Sequence, residues 1–253
     1  MMAILLCAGF ATRLYPLTRD FPKPLLPVAG RPVIDYLVEQ VSGLPEIDEI
    51  HIVANAKYFD RFSHWSRRWR HRLSERHLAI RVHNDGVTTE EGRLGACGDL
   101  RFVLRRTGRA DGYLVSAGDN IYLFDIADVW RRFLRSNRHC IVALAEGDPE
   151  ALRNTGVPVF GDGGRVVGVL EKPERPLPGW FCPPLYFLRP TARKNLEAFL
   201  NAGPVDALGH FIDYLCRREP VRAIKIDARR LDIGNAESYQ RAGRLLRGEP
   251  SIE

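Results

Sequence analysis

The sequence has no run of about 18 or more apolar residues, the length a helix needs to cross a bilayer. Its first residues, "MMAILLCAGFATR", carry no basic stretch ahead of a short apolar run, so they read as a first strand and not as a secretory leader. There is no CxxC pair: Cys7, Cys97, Cys140, Cys182 and Cys216 are scattered and odd in number. That argues against a disulfide framework or a zinc ribbon and predicts a reduced, cytoplasmic protein. The seven His show no metal-ligand spacing, and His64 and His71 sit among arginines, which disfavour a cation. Internal repeats, low-complexity segments and flexible linkers are absent. The charge excess is small, 37 basic against 31 acidic residues for a net +6. It is compatible with an anionic small substrate or a nucleic acid and chooses neither.

What is present is ordinary globular material: 253 residues, 45% hydrophobic and 27% charged. Apolar, β-branched runs ("AILL", "EIHIVAN", "LAIRVHN", "GYLVSAGDN", "CIVALAE") alternate with helical patterns ("PVIDYLVEQVSG", "YFDRFSHWSRRWRHRL", "LGACGDLRFVLRR", "IADVWRRFLRS"). This alternation predicts an α/β fold with a mainly parallel sheet, and ligands beyond the carboxyl ends of its strands, where Gly9, Asn84 and Asp119 fall. After about Glu146 the pattern changes. "GVPVFGDGGRVVGVLEK" reads as a hairpin, "WFCPPLYFL" as another strand, "PTARKNLEAFL" as a helix opened by Pro190, "VRAIKI" as a strand, and Ala236 to Leu246 as a closing helix. The expectation is one domain, 1–253, with a nucleotide-binding half at about 1–145 and an acceptor-binding half at about 146–253.

The most informative stretch is "ILLCAGFATRLYPLTRDFPKPLLPVAGRPVIDY". A strand running into "CAGFATR" places main-chain N–H groups in a tight turn, and small residues there let phosphate oxygens approach the backbone. Arg13 and Lys23 can then bring positive charge to a polyphosphate. The stretch is neither a Walker loop, which needs GK[ST], nor the dinucleotide fingerprint, whose last two glycines are missing. Taken alone, the loop reads equally well as a Gly/Ala turn beside a surface arginine.

Over roughly thirty residues in order, this stretch resembles the signature of the sugar-1-phosphate nucleotidyltransferases, or nucleotide-sugar pyrophosphorylases, of the glucose-1-phosphate thymidylyltransferase type. The resemblance recurs downstream: "LGACGDL" with Gly95, "VSAGDN" with Asp119, "GVLEKP" with Glu171 and Lys172, and "RLDIGNAESYQRA" with Asp232. It covers about Met2 to Ala242 and implies a Rossmann-like three-layer sandwich around a mixed, mainly parallel sheet. Two departures stand out. Ala11 replaces the second loop glycine, and since alanine restricts φ, a strained loop conformation is expected to be less accessible. Asp99 replaces a small residue.

The resemblance implies a reaction between an NTP (dTTP, UTP, CTP or GTP) and a sugar 1-phosphate, with Mg2+ as cofactor. Leu6, Ala8, Gly9, Phe10, Ala11, Thr12, Arg13, Lys23, Asn84 and Gly95 are the implied nucleotide contacts. Glu171, Lys172 and Tyr186 are the acceptor contacts, and Asp119 and Asp232 the metal ligands. Arg13, Lys23, Asp119 and Lys172 are the catalytic set. The chemistry is consistent: transfer between two anions needs charge neutralisation and alignment more than a strong base, and hard Mg2+ takes carboxylate and phosphate oxygens. Cys7 reads as a small packing residue, not a nucleophile.

Each residue also has a plainer reading. Asp119 could be a turn aspartate, Asp232 a residue near the cap of the last helix, and Lys172 a solvated hairpin lysine. The arginine- and tryptophan-rich "RFSHWSRRWRHRLSERH" reads as an amphipathic helix with its aromatics inward, not as a nucleic-acid or membrane surface. Two further functions stay open: a cytidylyltransferase for a non-sugar phosphate such as phosphocholine, with Trp180, Phe181, Tyr186 and Phe187 as an aromatic cage, and a non-catalytic nucleotide-sensing subunit. Homo-oligomers are expected only by analogy.

Overall fold

The apolar run after Met1 forms β1 (Met2–Leu6), and the proline-rich segment that follows adds two short strands, β2 (Pro27–Val28) and β3 (Arg31–Pro32). Then come α1 (Val33–Ser42), β4 (Glu49–Ala54), α2 (Phe59–Leu73), β5 (Ala79–Asn84), α3 (Gly95–Arg106), β6 (Tyr113–Ala117), β7 (Asn120–Tyr122), α4 (Ile126–Leu134), β8 (His139–Glu146) and the short α5 (Pro149–Leu152). The later chain gives β9 (Gly156–Phe160), β10 (Arg165–Glu171), β11 (Gly179–Phe181), β12 (Leu185–Leu188), α6 (Ala192–Leu200), α7 (Leu208–Cys216), β13 (Val221–Ile226), β14 (Arg230–Asp232) and α8 (Ala236–Leu246). The structure is a computed structural model and describes residues 1–176, 178–202 and 206–249, so 250–253 of the expected domain lie outside it.

Among the described residues the chain forms two compact units, each from non-contiguous segments: 5–93 with 117–126 and 229–249, and 1–4 with 94–116 and 127–228. In the first, β4 and β5 pair parallel and in register from Glu49↔Ala79 to Ala54↔Asn84. β14 pairs antiparallel with β7, placing Asp232 opposite Asn120. A buried cluster of Leu14, Leu26, Val28, Val33, Ile121, Ile233 and Ala242 lies beneath the proline-rich segment.

In the second unit the order is β6-β12-β8-β13-β10-β9, with β11 on β8. β8 and β13 are parallel, and the hairpin expected from its Gly-Asp-Gly-Gly turn is β9–β10. "WFCPPLYFL" is two strands where one was expected. Pro183 and Pro184 interrupt it because proline has no N–H to give a ladder, and β11 and β12 then pair separately. Helix α7 escaped the sequence reading.

Helix α2 behaves as its spacing predicts. Phe62, Trp65, Trp69 and Leu73 are buried, and the arginines between them are exposed. A second feature fixes its rotation. The buried Asp35 carboxylate of α1 accepts hydrogen bonds from the indole N–H groups of Trp65 (2.7 Å) and Trp69 (2.9 Å), and from Arg68 (2.6 Å). One buried charge thus satisfies both indoles, which would otherwise be costly to bury.

Candidate functional site

The loop after β1 is held from several sides. Buried Asn55 donates from Nδ2 to the Ala8 carbonyl (2.8 Å), and its Oδ1 accepts from the Tyr58 N–H (3.0 Å). The Cys7 N–H reaches the Val53 carbonyl at 2.9 Å. Phe10 is buried with its ring 6.2 Å from that of Tyr58, while Gly9, Thr12 and Arg13 are exposed. Leu6 is half-buried and Ala8 buried.

Ala11 corrects the sequence expectation. It adopts the left-handed conformation, φ 52° and ψ 44°, despite its Cβ. Its carbonyl accepts from the Leu14 N–H (3.0 Å) and the buried Thr18 hydroxyl (2.7 Å), and these bonds hold the strained backbone in place.

Lys23 opens a single helical turn, Lys23–Leu25, between Pro22 and Pro24. The prolines fix its backbone and aim its stem inward. Its side chain is 10% exposed, and Nζ lies 2.6 Å from Asp119 Oδ2 and 3.9 Å from Asp232 Oδ1. Asp119 and Asp232 are 29% and 50% exposed. Asp119 lies just past β6, as expected. Asp232 ends the short strand β14, whose pairing with β7 brings it here.

Two residues that the sequence reading missed fix this group. Asn120 donates from Nδ2 to Asp119 Oδ1 (2.8 Å) and accepts from Arg230 (2.5 Å). The Asp119 carboxyl would be pushed up by burial, but the Lys23 ammonium, by charge and hydrogen bond, and then Arg230 outweigh this and hold it below the usual carboxylate range. Gly118 is required by contact, because a Cβ there would lie 2.3 Å from Cys7 Sγ. The cap of α8 is a reciprocal Asn235–Ser238 box, and the Asp119 oxygens face Lys23 and Asn120.

Two carboxylates converging on one positive charge suit Mg2+, which commonly takes one or two carboxylates and keeps its other positions for water and phosphate. Among the described residues no group of three or more His, Cys, Asp or Glu converges, so the chain offers this open donor set and not a closed cage.

Asn84 ends β5, and its Oδ1 accepts from the Gly86 N–H (2.8 Å); Asp85 does the same for Val87 (2.7 Å). Both side chains are engaged in their own turn.

The remaining candidates belong to the second unit. Gly95 has φ +73°, and a Cβ there would meet Asp206 Oδ1 at 2.5 Å. Asp206 also accepts from the N–H groups of Ala96 and Cys97 (both 3.3 Å), so it caps α3 and requires glycine at 95. Glu171 ends β10 with Oε2 against Gly209, where a Cβ would lie 1.8 Å away. Burial pushes its carboxyl up, against the pull of Lys172 and His210. Lys172 is exposed at φ 48°, its N–H on the Thr155 carbonyl (2.9 Å). Tyr186 is buried on β12. The aromatic cage is not formed as expected. Phe181, Tyr186 and Phe187 are core residues, and Trp180 instead shares the Lys225 ammonium with Phe160, at 4.8 and 4.4 Å.

Comparison with known proteins bears on the family and the fold. The family model described as Nucleotidyl transferase matches residues 2–248. The UTP–glucose-1-phosphate uridylyltransferase AglF of Haloferax volcanii is 27% identical over 258 residues, covering 98% of each chain. The bifunctional protein GlmU of Methanocaldococcus jannaschii is 26% identical over 97% of this chain, which spans 54% of GlmU. A crystal structure assigned as a glucose-1-phosphate thymidylyltransferase from Bacillus anthracis superposes with a TM-score of 0.83 at 20% identity, covering 100% of this chain and 98% of that one. The fold is thus the Rossmann-like α/β type, a mixed, mainly parallel sheet with helices on both sides. No described helix is long and apolar enough to cross a membrane.

Proposed function

Because the chain belongs to the nucleotidyl transferase family, we propose that it condenses a nucleoside triphosphate with a sugar 1-phosphate, giving a nucleoside diphosphate sugar and pyrophosphate. A phosphate oxygen of the sugar phosphate attacks the α-phosphorus in line, and the bond to the bridging oxygen of the leaving pyrophosphate breaks. The observation that carries the reading is the convergence of Asp119 and Asp232 on Lys23, beside a loop whose backbone is fixed for close approach.

In this reading Leu6 to Arg13 cradle the triphosphate, with Gly9 leaving its backbone open to phosphate oxygens and Arg13 supplying mobile charge. Asn84 and Gly95 serve the nucleoside, and Glu171 and Lys172 the acceptor, Lys172 at its phosphate; Tyr186, expected beside them, is in the core. Asp119 and Asp232 would hold Mg2+, which neutralises charge developing on the phosphates. Asn120 and Arg230 orient Asp119.

UTP with glucose 1-phosphate is the first pair to test, because a relative matched over 98% of its length is named for it. The assay is pyrophosphate release with Mg2+, crossing UTP, dTTP, CTP and GTP against glucose 1-phosphate, mannose 1-phosphate and phosphocholine. Release that requires an acceptor and disappears in Asp119→Ala is expected. A folded, nucleotide-binding protein that is silent in every combination would refute the proposal. Release only with phosphocholine would replace the sugar with the other acceptor class.

A further inference from the structure

We propose that Lys23 is the resident counter-cation of the two carboxylates and leaves them when a divalent cation binds, freeing its ammonium for the triphosphate. The inference deepens the proposed function and rests on it. The chain balances the charge of the group with its own residues: Asp119 and Asp232 against Lys23 and Arg230. Arg230 donates to Asn120, and among the described residues Lys23 is the cation placed within 4 Å of both carboxylates. Its contacts are unequal, 2.6 Å to Asp119 and 3.9 Å to Asp232, as expected of a single ammonium placed where a larger coordination shell would use both.

Only the side chain has to move. The Leu25 N–H is bound to the Pro22 carbonyl (3.0 Å) and the Leu26 N–H to that of Lys23 (3.1 Å), while the lysine stem has four rotatable bonds. Both cations need the same oxygens, so each lowers the apparent affinity of the other. The consequence is order: the lysine is withheld from phosphate until the metal position is filled. A triphosphate arriving without metal meets an ammonium that is already paired.

The test is divalent-cation binding without nucleotide, using Mn2+ as the probe, on the chelator-treated full chain. If Lys23 holds the carboxylates at least nine-tenths of the time, Lys23→Met tightens Mn2+ binding by about tenfold or more. Asp119→Asn abolishes that gain. Equal or weaker Mn2+ binding by folded Lys23→Met overturns the proposal. Should that variant fail to fold, the wild-type chain decides. Its other lysines are Lys57, Lys172, Lys194 and Lys225, so acetylation can be followed residue by residue by mass spectrometry. Mg2+ should speed acetylation of Lys23 severalfold and leave the other four unchanged; no change at Lys23 overturns the exchange. Neither readout uses turnover. Silent pyrophosphate assays with intact competition would refute the function alone, and active enzyme without competition would refute the exchange alone.

Discussion

Ala11→Gly should make this protein more stable, although the substitution adds no contact. At φ 52° an L residue places its Cβ too near the carbonyl oxygen, at a cost of about 1–2 kcal/mol. Glycine removes that cost but gives the unfolded chain more freedom, which takes back about 0.5–1 kcal/mol. The difference is a net gain of about 0.5–1 kcal/mol, or about 1–4 °C in Tm for a chain of this size. The bonds that impose the conformation, from Leu14 N–H and Thr18 Oγ1 to the Ala11 carbonyl, use backbone and a distant hydroxyl and survive the change. Urea denaturation is the assay, with the midpoint rising at constant slope. A lower midpoint would mean that Ala11 is not left-handed in solution and that the loop differs from the one described.

Gly9→Ala is the functional counterpart. A Cβ there meets no atom within 4 Å beyond its chain neighbours, so the fold should keep its stability, while equilibrium dialysis should show weaker nucleotide binding; unchanged binding would remove Gly9 from the phosphate contacts. Gly118→Ala should cost about 2 kcal/mol or more by forcing a Cβ against Cys7 Sγ, and Cys7→Gly in the same chain should restore part of it; additive losses in a double-mutant cycle would break the argument. Asp35→Ala should cost about 3–5 kcal/mol by orphaning two buried indole N–H groups and the Arg68 partner, with a fall in the denaturation midpoint as the check. Stability should also fall as pH drops below about 6.5. Burial holds His51 and His139 below the ordinary histidine value, in spite of Glu49 and Glu219. The unfolded chain therefore takes up protons there that the folded chain refuses. Urea midpoints that are flat or rising from pH 7.5 to 5 would contradict this.

Most of the α/β pattern was legible because strand runs and helix periods are local properties. What escaped depends on partners distant in sequence. β7 and β14 have three residues each and little pattern of their own, yet their pairing brings Asp232 opposite Asn120. Arg230 and Asn120 were quoted within motifs, but nothing local shows that one orients the other and through it Asp119. Asn55 carries no signal beyond its place after a strand. Ala11 was misread for another reason: φ preference is local, but the two hydrogen bonds that override it come from residues three and seven positions away. The cage of Trp180, Phe181, Tyr186 and Phe187 failed because strand alternation and the Pro183–Pro184 break buried three of its four rings.

The two cations assigned to one role by resemblance stand in different states. Arg13 is exposed and makes no side-chain hydrogen bond or ion pair among the described residues, whereas Lys23 is buried and paired. An exposed guanidinium can attract a polyanion from about a Debye length away. A buried ammonium held at 2.6 Å by a carboxylate contributes little to that field, because the pair is nearly neutral seen from outside. Arg13 therefore suits capture of the triphosphate, and Lys23 suits a later step in which its own pair has been broken. What breaks it must compensate Asp119 and Asp232 as well as the lysine did, since uncovering two neighbouring carboxylates in front of an incoming polyanion would cost more than the lysine gains at phosphate. A divalent cation meets that condition, and a triphosphate alone does not.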